Sequence, residues 1–142
     1  MNWETLSTAS PYRTAVAIKQ EIEEGRIAEA TTGLKELIEA LSRSEKRALK
    51  SQLVRLMLHI IKWRTQLERR SLSWIASIED ARDEIADIRE ETPSLNEKVL
   101  QDLWARAFII AKRDAEAEMG KRTQIETLTW TEVFDTTYSL DL

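Results

Sequence analysis

Residues 71–91 have the sequence SLSWIASIEDARDEIADIREE, in which apolar side chains recur with the period of an α-helix. These apolar residues follow one another at steps of four, three, four and three positions: Trp74, Ile78, Ala81, Ile85 and Ile88. The other faces of the segment carry many acidic side chains. We therefore predict an amphipathic helix that begins near Ser71 or Ser73 and ends before Pro93.

Helical signals continue on both sides of this segment. Ser10 followed by Pro11 is typical of a helix start, and Gly25 is placed to end that helix. Residues 94–97 form a Ser-x-x-Glu capping box, which predicts a further helix that Gly120 closes.

The longest run of helical spacing lies between about Thr31 and Gln66. Inside it, residues 42–45 form another Ser-x-x-Glu capping box, which indicates that a new helix begins at Ser42. The apolar stripe, however, crosses Ser42 without a change of phase, as in one unbroken helix. Of these two interpretations we slightly favour two helices that meet near Ser42.

The 142-residue chain has the length of one domain, and its 42% apolar and 32% charged residues are typical of a folded globular protein. Three Gly and two Pro are too few for a sandwich or barrel of short strands. We predict an all-α fold, an up-and-down bundle of four to five helices in a single domain over residues 1–142. A short turn is predicted at Thr131–Asp135, and residues 1–9 and 138–142 are expected to be loose ends.

The sequence contains few of the residues on which catalytic and metal sites are built. It has no cysteine and a single histidine, His59, and it lacks a glycine-rich phosphate loop. A di-iron bundle requires Glu-x-x-His, but Leu56 stands three positions before His59. We therefore expect no metal site and no cofactor, and the sequence favours a binding protein over an enzyme.

The sequence also bears on the location of the protein. No apolar run approaches the length of a membrane-spanning helix, and residues 1–4 lack the basic start of a signal peptide. The absence of cysteine suits a reducing compartment. We expect a cytoplasmic protein that does not contact a membrane.

The net charge of −4 conceals a strong segregation of charge along the chain. Residues 43–70 carry nine basic and two acidic side chains, whereas residues 71–142 carry eight basic and sixteen acidic ones. The basic segment either pairs with the acidic helix that follows it, or binds nucleic acid, another polyanion or an acidic partner protein. The acidic pI of about 5.2 favours internal pairing, because nucleic-acid-binding domains are usually basic.

The densest combination of polar and aromatic side chains lies around a turn predicted within residues 62–74. We predict that a binding site would use the following residues: His59, Lys62, Trp63, Arg69, Arg70, Ser73 and Trp74. His59 either contacts an anion, beside Arg55, or lies at the edge of the core with its ring hydrogen-bonded. Arg69 and Arg70 either cap the preceding helix and stack on tryptophan, or clamp a phosphate or carboxylate. In both cases we favour the structural role.

Several of these motifs recur together in a known family. They are residues 42–53 (SRSEKRALKSQL), His59, Lys62-Trp63, Glu68-Arg69-Arg70, Ser73-Trp74 and residues 81–85 (ARDEI). In these residues the chain resembles domain-of-unknown-function family 29 (DUF29), a bacterial family that is especially abundant in cyanobacteria. The resemblance covers about residues 25–120 and implies an all-α bundle, but it implies no activity.

We expect a non-enzymatic interaction module whose contact surface is the turn at residues 62–74. Its partner would be another protein or a second copy of the chain. The alternative is a protein that acts on nucleic acid through the basic segment 43–70, either by binding RNA or as a toxin-type ribonuclease. Some all-α toxin ribonucleases have four to six residues between an Arg and a His, whereas Arg55 and His59 have only three between them.

Overall fold

The computed structural model describes residues 1–140, in which four of the five α-helices lie in segments with predicted helical signals. The helices are α1 (Trp3–Ala9), α2 (Pro11–Glu23), α3 (Ile27–Thr65), α4 (Leu72–Glu91) and α5 (Glu97–Met119). A short 3-10 turn occupies Leu67–Arg69, and a π-helical turn occupies Thr131–Asp135, where a turn was predicted. The described residues contain no β-strand, so the predicted all-α fold is confirmed.

Local signals set most helix ends correctly. The side-chain oxygens of Ser10 and Ser71 each accept a hydrogen bond from the backbone N–H three residues further on, as N-caps do. Pro11 occupies the first helical position of α2. Gly25 and Gly120 follow the ends of α2 and α5 with φ values of +80° and +69°, which side-chain-bearing residues rarely adopt.

The preference for two helices meeting at Ser42 is wrong. Helix α3 runs without interruption through Ser42, although residues 42–45 have the composition of a capping box. A capping box is useful only where backbone N–H groups lack partners within the helix. Because α3 continues through Ser42, the backbone N–H groups that follow it keep their partners within the helix, and the capping box is not needed.

The start of α5 also differs from the prediction. The N-cap is Asn96 and not Ser94, since the Asn96 side chain accepts a hydrogen bond of 3.2 Å from the N–H of Val99. Leu95 explains the shift, because it is buried and its N–H bonds to the carbonyl of Thr92. Burial of Leu95 therefore keeps the chain in a turn, and the helix begins two residues later than the capping box indicated.

The chain forms two compact units, Met1–Arg47 and Ala48–Leu142, and the boundary between them lies within α3. The first unit has a small core with four buried apolar residues: Trp3, Ile18, Ala30 and Leu37. The Trp3 ring lies directly on Gly33, where a Cβ atom would stand 2.8 Å from ring carbons. The Trp3 indole N–H also donates a hydrogen bond of 2.7 Å to Glu29. Residues 1–9, expected to be loose, are therefore held in place by α1 and its tryptophan.

The second unit contains the larger core, to which α3, α4 and α5 all contribute buried apolar side chains. On α4, the middle of the predicted stripe is fully buried, at Ile78, Ala81 and Ile85. Its two ends, Trp74 and Ile88, are half-buried. The stripe in residues 71–91 thus identifies the core-facing side of α4 correctly.

The segment after α5 completes this core without forming a regular α-helix. Leu128 and Val133 are buried in it. The Trp104 indole N–H donates to the Leu128 carbonyl at 3.0 Å, and the Arg82 Nε donates to the Val133 carbonyl at 2.8 Å. Tyr138 is half-buried as well, so the expected loose end is ordered as far as the structure describes it, and its last two residues lie outside the described range.

None of the helices within residues 1–140 combines the length and the apolar character that a membrane-spanning helix requires.

Candidate functional site

The seven candidate residues lie where α3 ends and α4 begins, all within the second unit. Helix α3 ends at Thr65, the 3-10 turn spans Leu67–Arg69, and Ser71 caps α4. Gln66 is buried between the helix and the turn. The chain therefore reverses within a few residues, which brings both ends of the candidate set to one corner.

His59 has a structural environment. Its Nδ1 lies 2.9 Å from the carbonyl oxygen of Arg55, and because a carbonyl only accepts, Nδ1 carries the proton. Burial is the largest cause of the lowered pKa of His59 and outweighs the hydrogen bond to the Arg55 carbonyl, which raises the pKa. The charges of Lys62 and Arg55 lower the pKa further, and Glu118 raises it. The imidazole is thus held in its neutral form at the edge of the core, as the structural interpretation expected.

Lys62 and Trp74 hold the start of α4 against the end of α3. The Lys62 ammonium lies 4.9 Å from the centroid of the Trp74 ring, a cation–π contact. It also lies 3.2 Å from a carboxylate oxygen of Glu118 on α5, and its side chain is only 16% exposed. Both partners of Lys62 are internal, so its charge is already compensated within the protein.

Trp63 and Arg70 form a second contact, which joins the turn to the end of α3. Trp63 is 4% exposed, and the Arg70 guanidinium carbon lies 4.6 Å from the centroid of its ring. The Arg70 Nε donates a hydrogen bond of 2.9 Å to the Trp63 carbonyl in the last turn of α3. On its other side Trp63 contacts Tyr138 edge-on, with ring centroids 5.7 Å apart. Arg70 therefore caps a helix end and stacks on tryptophan, which is the structural role predicted for the arginine pair.

Arg69 does not share the contacts of Arg70. It is exposed, and no ion pair within the described chain includes it. A cavity of about 340 Å³ beside the turn is lined by Arg70 and Trp63 but not by Arg69. The two guanidiniums thus do not converge on one cavity, and a joint clamp on phosphate has no geometric support.

The exposed rim of the turn also contains two leucines that sequence reasoning missed. Leu67 is 64% exposed and Leu72 is 72% exposed, and Ser73 beside them is exposed too. A signal existed for Leu72, which does not fall on the apolar stripe of α4, whereas Leu67 lies in the 3-10 turn and no helical stripe applies to it. An apolar residue off the stripe of an amphipathic segment is predicted to face solvent.

Three of the nine cations in the basic segment 43–70 form ion pairs within the described chain, and only one of the three pairs with the helix we expected. Arg55 forms the ion pair with α4, its guanidinium lying 2.7 Å from a carboxylate oxygen of Asp80. Lys62 pairs with α5, and Arg64 pairs with Glu132 of the π-helical turn at 3.1 Å. Internal pairing is therefore correct for these three cations, with partners distributed over three separate elements.

No group of three or more His, Asp or Glu side chains within residues 1–140 is placed to hold a metal ion. The arrangement around the turn is a rigid corner of stacked and ion-paired side chains with an exposed rim. Such a corner is suited to contact another molecule.

The chain was compared with family models, curated proteins and solved structures. The family model described as domain of unknown function DUF29 matches residues 17–139, which include every motif on which the resemblance was based. The resemblance is thereby confirmed. No curated protein and no solved structure matches the chain.

Proposed function

We propose that this chain, which belongs to the DUF29 family, is a non-enzymatic binding module that contacts a partner protein in the cytoplasm. The contact surface is the exposed rim of the turn between α3 and α4, here called the turn surface: Leu67, Arg69, Leu72 and Ser73. One observation carries the proposal: two leucines that are 64% and 72% exposed flank a guanidinium without an ion-pair partner in the described chain.

The turn surface is held in one conformation before any partner arrives. Arg70 joins the turn to the end of α3 through its hydrogen bond to Trp63, and Lys62 joins α3 to α4 through Trp74. Ordering of loops and side chains is a major cost of association, and a rigid surface avoids most of it. Of the residues that sequence analysis chose as ligand contacts, Arg69 and Ser73 belong to the turn surface, and the contacts of Lys62, Trp63, Arg70 and Trp74 support it.

The chemistry of the rim favours a protein over a nucleic acid as partner. Exposed leucines contribute to affinity by burying apolar area, and arginine is enriched in the centres of protein interfaces. A nucleic acid would instead require a row of unpaired cations. In the turn region Lys62 and Arg64 pair with carboxylates and Arg70 stacks on tryptophan, which leaves Arg69 alone. The partner we propose has an apolar patch beside a carboxylate.

The experiment compares three forms of the tagged full-length chain in extracts of its native cell. The forms are wild type, the double variant Leu67→Ala/Leu72→Ala, and Ile109→Ala as a matched control. Ile109 is 57% exposed on α5 and lies outside the turn surface. Captured proteins are quantified after mild cross-linking, and circular dichroism verifies that each variant is folded.

We expect at least one protein to be captured by wild type and by Ile109→Ala, and to fall about tenfold or more with the double variant, because loss of two buried leucine contacts costs more than 1.4 kcal/mol. Arg69→Ala should weaken the same capture. Equal capture by all three forms would refute the turn surface. If the captured protein is the chain itself, the partner is a second copy.

A further inference from the structure

We propose that the first unit contains a binding site for a small phosphate monoester. The site is a cavity of about 220 Å³ bordered by the end of α1, the start of α2 and one face of α3. Its polar lining consists of two arginines and three hydroxyl-bearing residues: Arg43, Arg47, Ser7, Thr8 and Ser44. All of these residues lie within the first unit, Met1–Arg47, whereas the turn surface belongs to the second unit.

The two arginines supply uncompensated positive charge. Arg43 and Arg47 are one helical turn apart on α3, so their side chains lie on the same face. Neither belongs to an ion pair within residues 1–140, and no carboxylate side chain lines the cavity. By contrast, Arg26 in the same unit bonds to both Glu21 and Glu24. The cavity thus has a positively charged lining, which favours an anionic ligand.

Like charges one turn apart repel each other and destabilise a helix. An anion held between two guanidiniums removes that repulsion and accepts several charge-assisted hydrogen bonds. The planar guanidinium fork matches the oxygens of phosphate in particular. With two guanidiniums in the site, a doubly charged phosphate is a better ligand than a singly charged carboxylate.

The hydroxyl groups of the cavity favour a ligand that is larger than inorganic phosphate. The exposed Thr8 hydroxyl donates to the carbonyl of Glu4 at 3.0 Å, so its oxygen offers acceptor lone pairs to a ligand. Acceptors match a donor such as an alcohol O–H. A phosphate monoester that also carries free hydroxyl groups satisfies both halves of the cavity.

The test is a titration of the full-length protein with glycerol 3-phosphate, inorganic phosphate and sodium chloride at constant ionic strength, followed by amide NMR shifts. We expect saturable shifts at Ser7, Thr8 and Ser44 with both phosphates and none with chloride. Glycerol 3-phosphate should bind more tightly than inorganic phosphate. Equal affinity would refute the preference for a monoester.

Three glutamine variants separate a site from a general charge effect. Arg43→Gln and Arg47→Gln should each weaken glycerol 3-phosphate binding about tenfold, since a charge-assisted hydrogen bond contributes about 1.5–3 kcal/mol. Lys46→Gln removes the same charge from an exposed neighbouring position that does not line the cavity, and it should bind like wild type. Equal weakening in all three variants, or no saturation with either phosphate, would overturn the proposal.

Discussion

At the scale of single residues, chemical type alone does not distinguish a ligand contact from a structural support. Arg69 and Arg70 are neighbours of the same type, yet Arg70 stacks on Trp63 and caps α3 while Arg69 faces solvent. The difference follows from Trp63, which is buried and presents its ring and its carbonyl on the side of Arg70 alone. A guanidinium beside a tryptophan in the sequence is therefore ambiguous until the position of the ring is known.

His59 makes the stability of the protein depend on pH. Its folded-state pKa lies below the ordinary histidine value because burial penalises the charged imidazolium. Its stabilising contribution is therefore complete above the unfolded-state pKa of about 6.5 and is lost as the pH falls through the lower folded-state pKa. We expect the free energy of unfolding in urea to fall between about pH 7.5 and pH 5.5, and to fall less in His59→Gln, which cannot titrate.

Comparison with the variant is needed because carboxylates titrate in the lower part of this range. Their contribution is shared by wild type and His59→Gln and cancels in the difference between the two. An identical fall in both proteins would show that His59 is not held in its neutral form.

At the scale of the helices, cap signals are reliable where the chain must turn and misleading where it need not. Ser10 and Ser71 start helices because each has an extended backbone, so the N–H groups that follow need a side-chain partner. Ser42 has the same local sequence signal, but α3 continues through it. Local capping contributes about 1 kcal/mol. An unbroken α3 keeps the backbone N–H groups around Ser42 hydrogen-bonded within the helix, so a new helix start brings no gain there.

The continuity of α3 can be tested with Arg43→Pro. Proline inside a helix removes a backbone hydrogen bond and clashes with the preceding turn, which costs about 3 kcal/mol or more. If a helix began at Ser42, position 43 would be its first residue, where proline is well tolerated. We expect urea unfolding, followed by circular dichroism, to show a loss of about 3 kcal/mol for Arg43→Pro. Arg43→Ala controls for the lost side chain, and equal stability of the two variants would indicate a break in α3.

At the scale of the whole molecule, the core of the second unit depends on a segment with no helical periodicity. Leu128 and Val133 are fully buried, and the backbone carbonyls beside them are bonded by Trp104 and Arg82. Trp104 also stacks on Trp130, with ring centroids 5.6 Å apart and ring planes 18° apart. Side chains from α4 and α5 thus replace the hydrogen bonds that a regular helix would have provided.

Leu128→Ala should consequently destabilise the protein as strongly as a change in a core helix. Removing a buried leucine side chain leaves a cavity and costs about 2–5 kcal/mol. Leu140→Ala, at a position that is 40% exposed in the same segment, should change stability by about 0.5 kcal/mol or less. Urea unfolding, followed by tryptophan fluorescence, measures the free energy of unfolding of both variants. Equally small losses in the two variants would show that the segment does not belong to the core.

The sequence by itself determined the helical class, the ends of α2 and α4 and the buried face of α4, because capping hydrogen bonds and apolar spacing depend on residues close together in the chain. The family also followed from the sequence, through its motifs. Only the tertiary structure decided which polar side chains are engaged. The partners of Lys62, Arg64 and Trp63 are Glu118, Glu132 and Tyr138, between 56 and 75 positions further along the chain. Ion pairs and ring contacts depend on which elements pack together, and no local pattern records that packing.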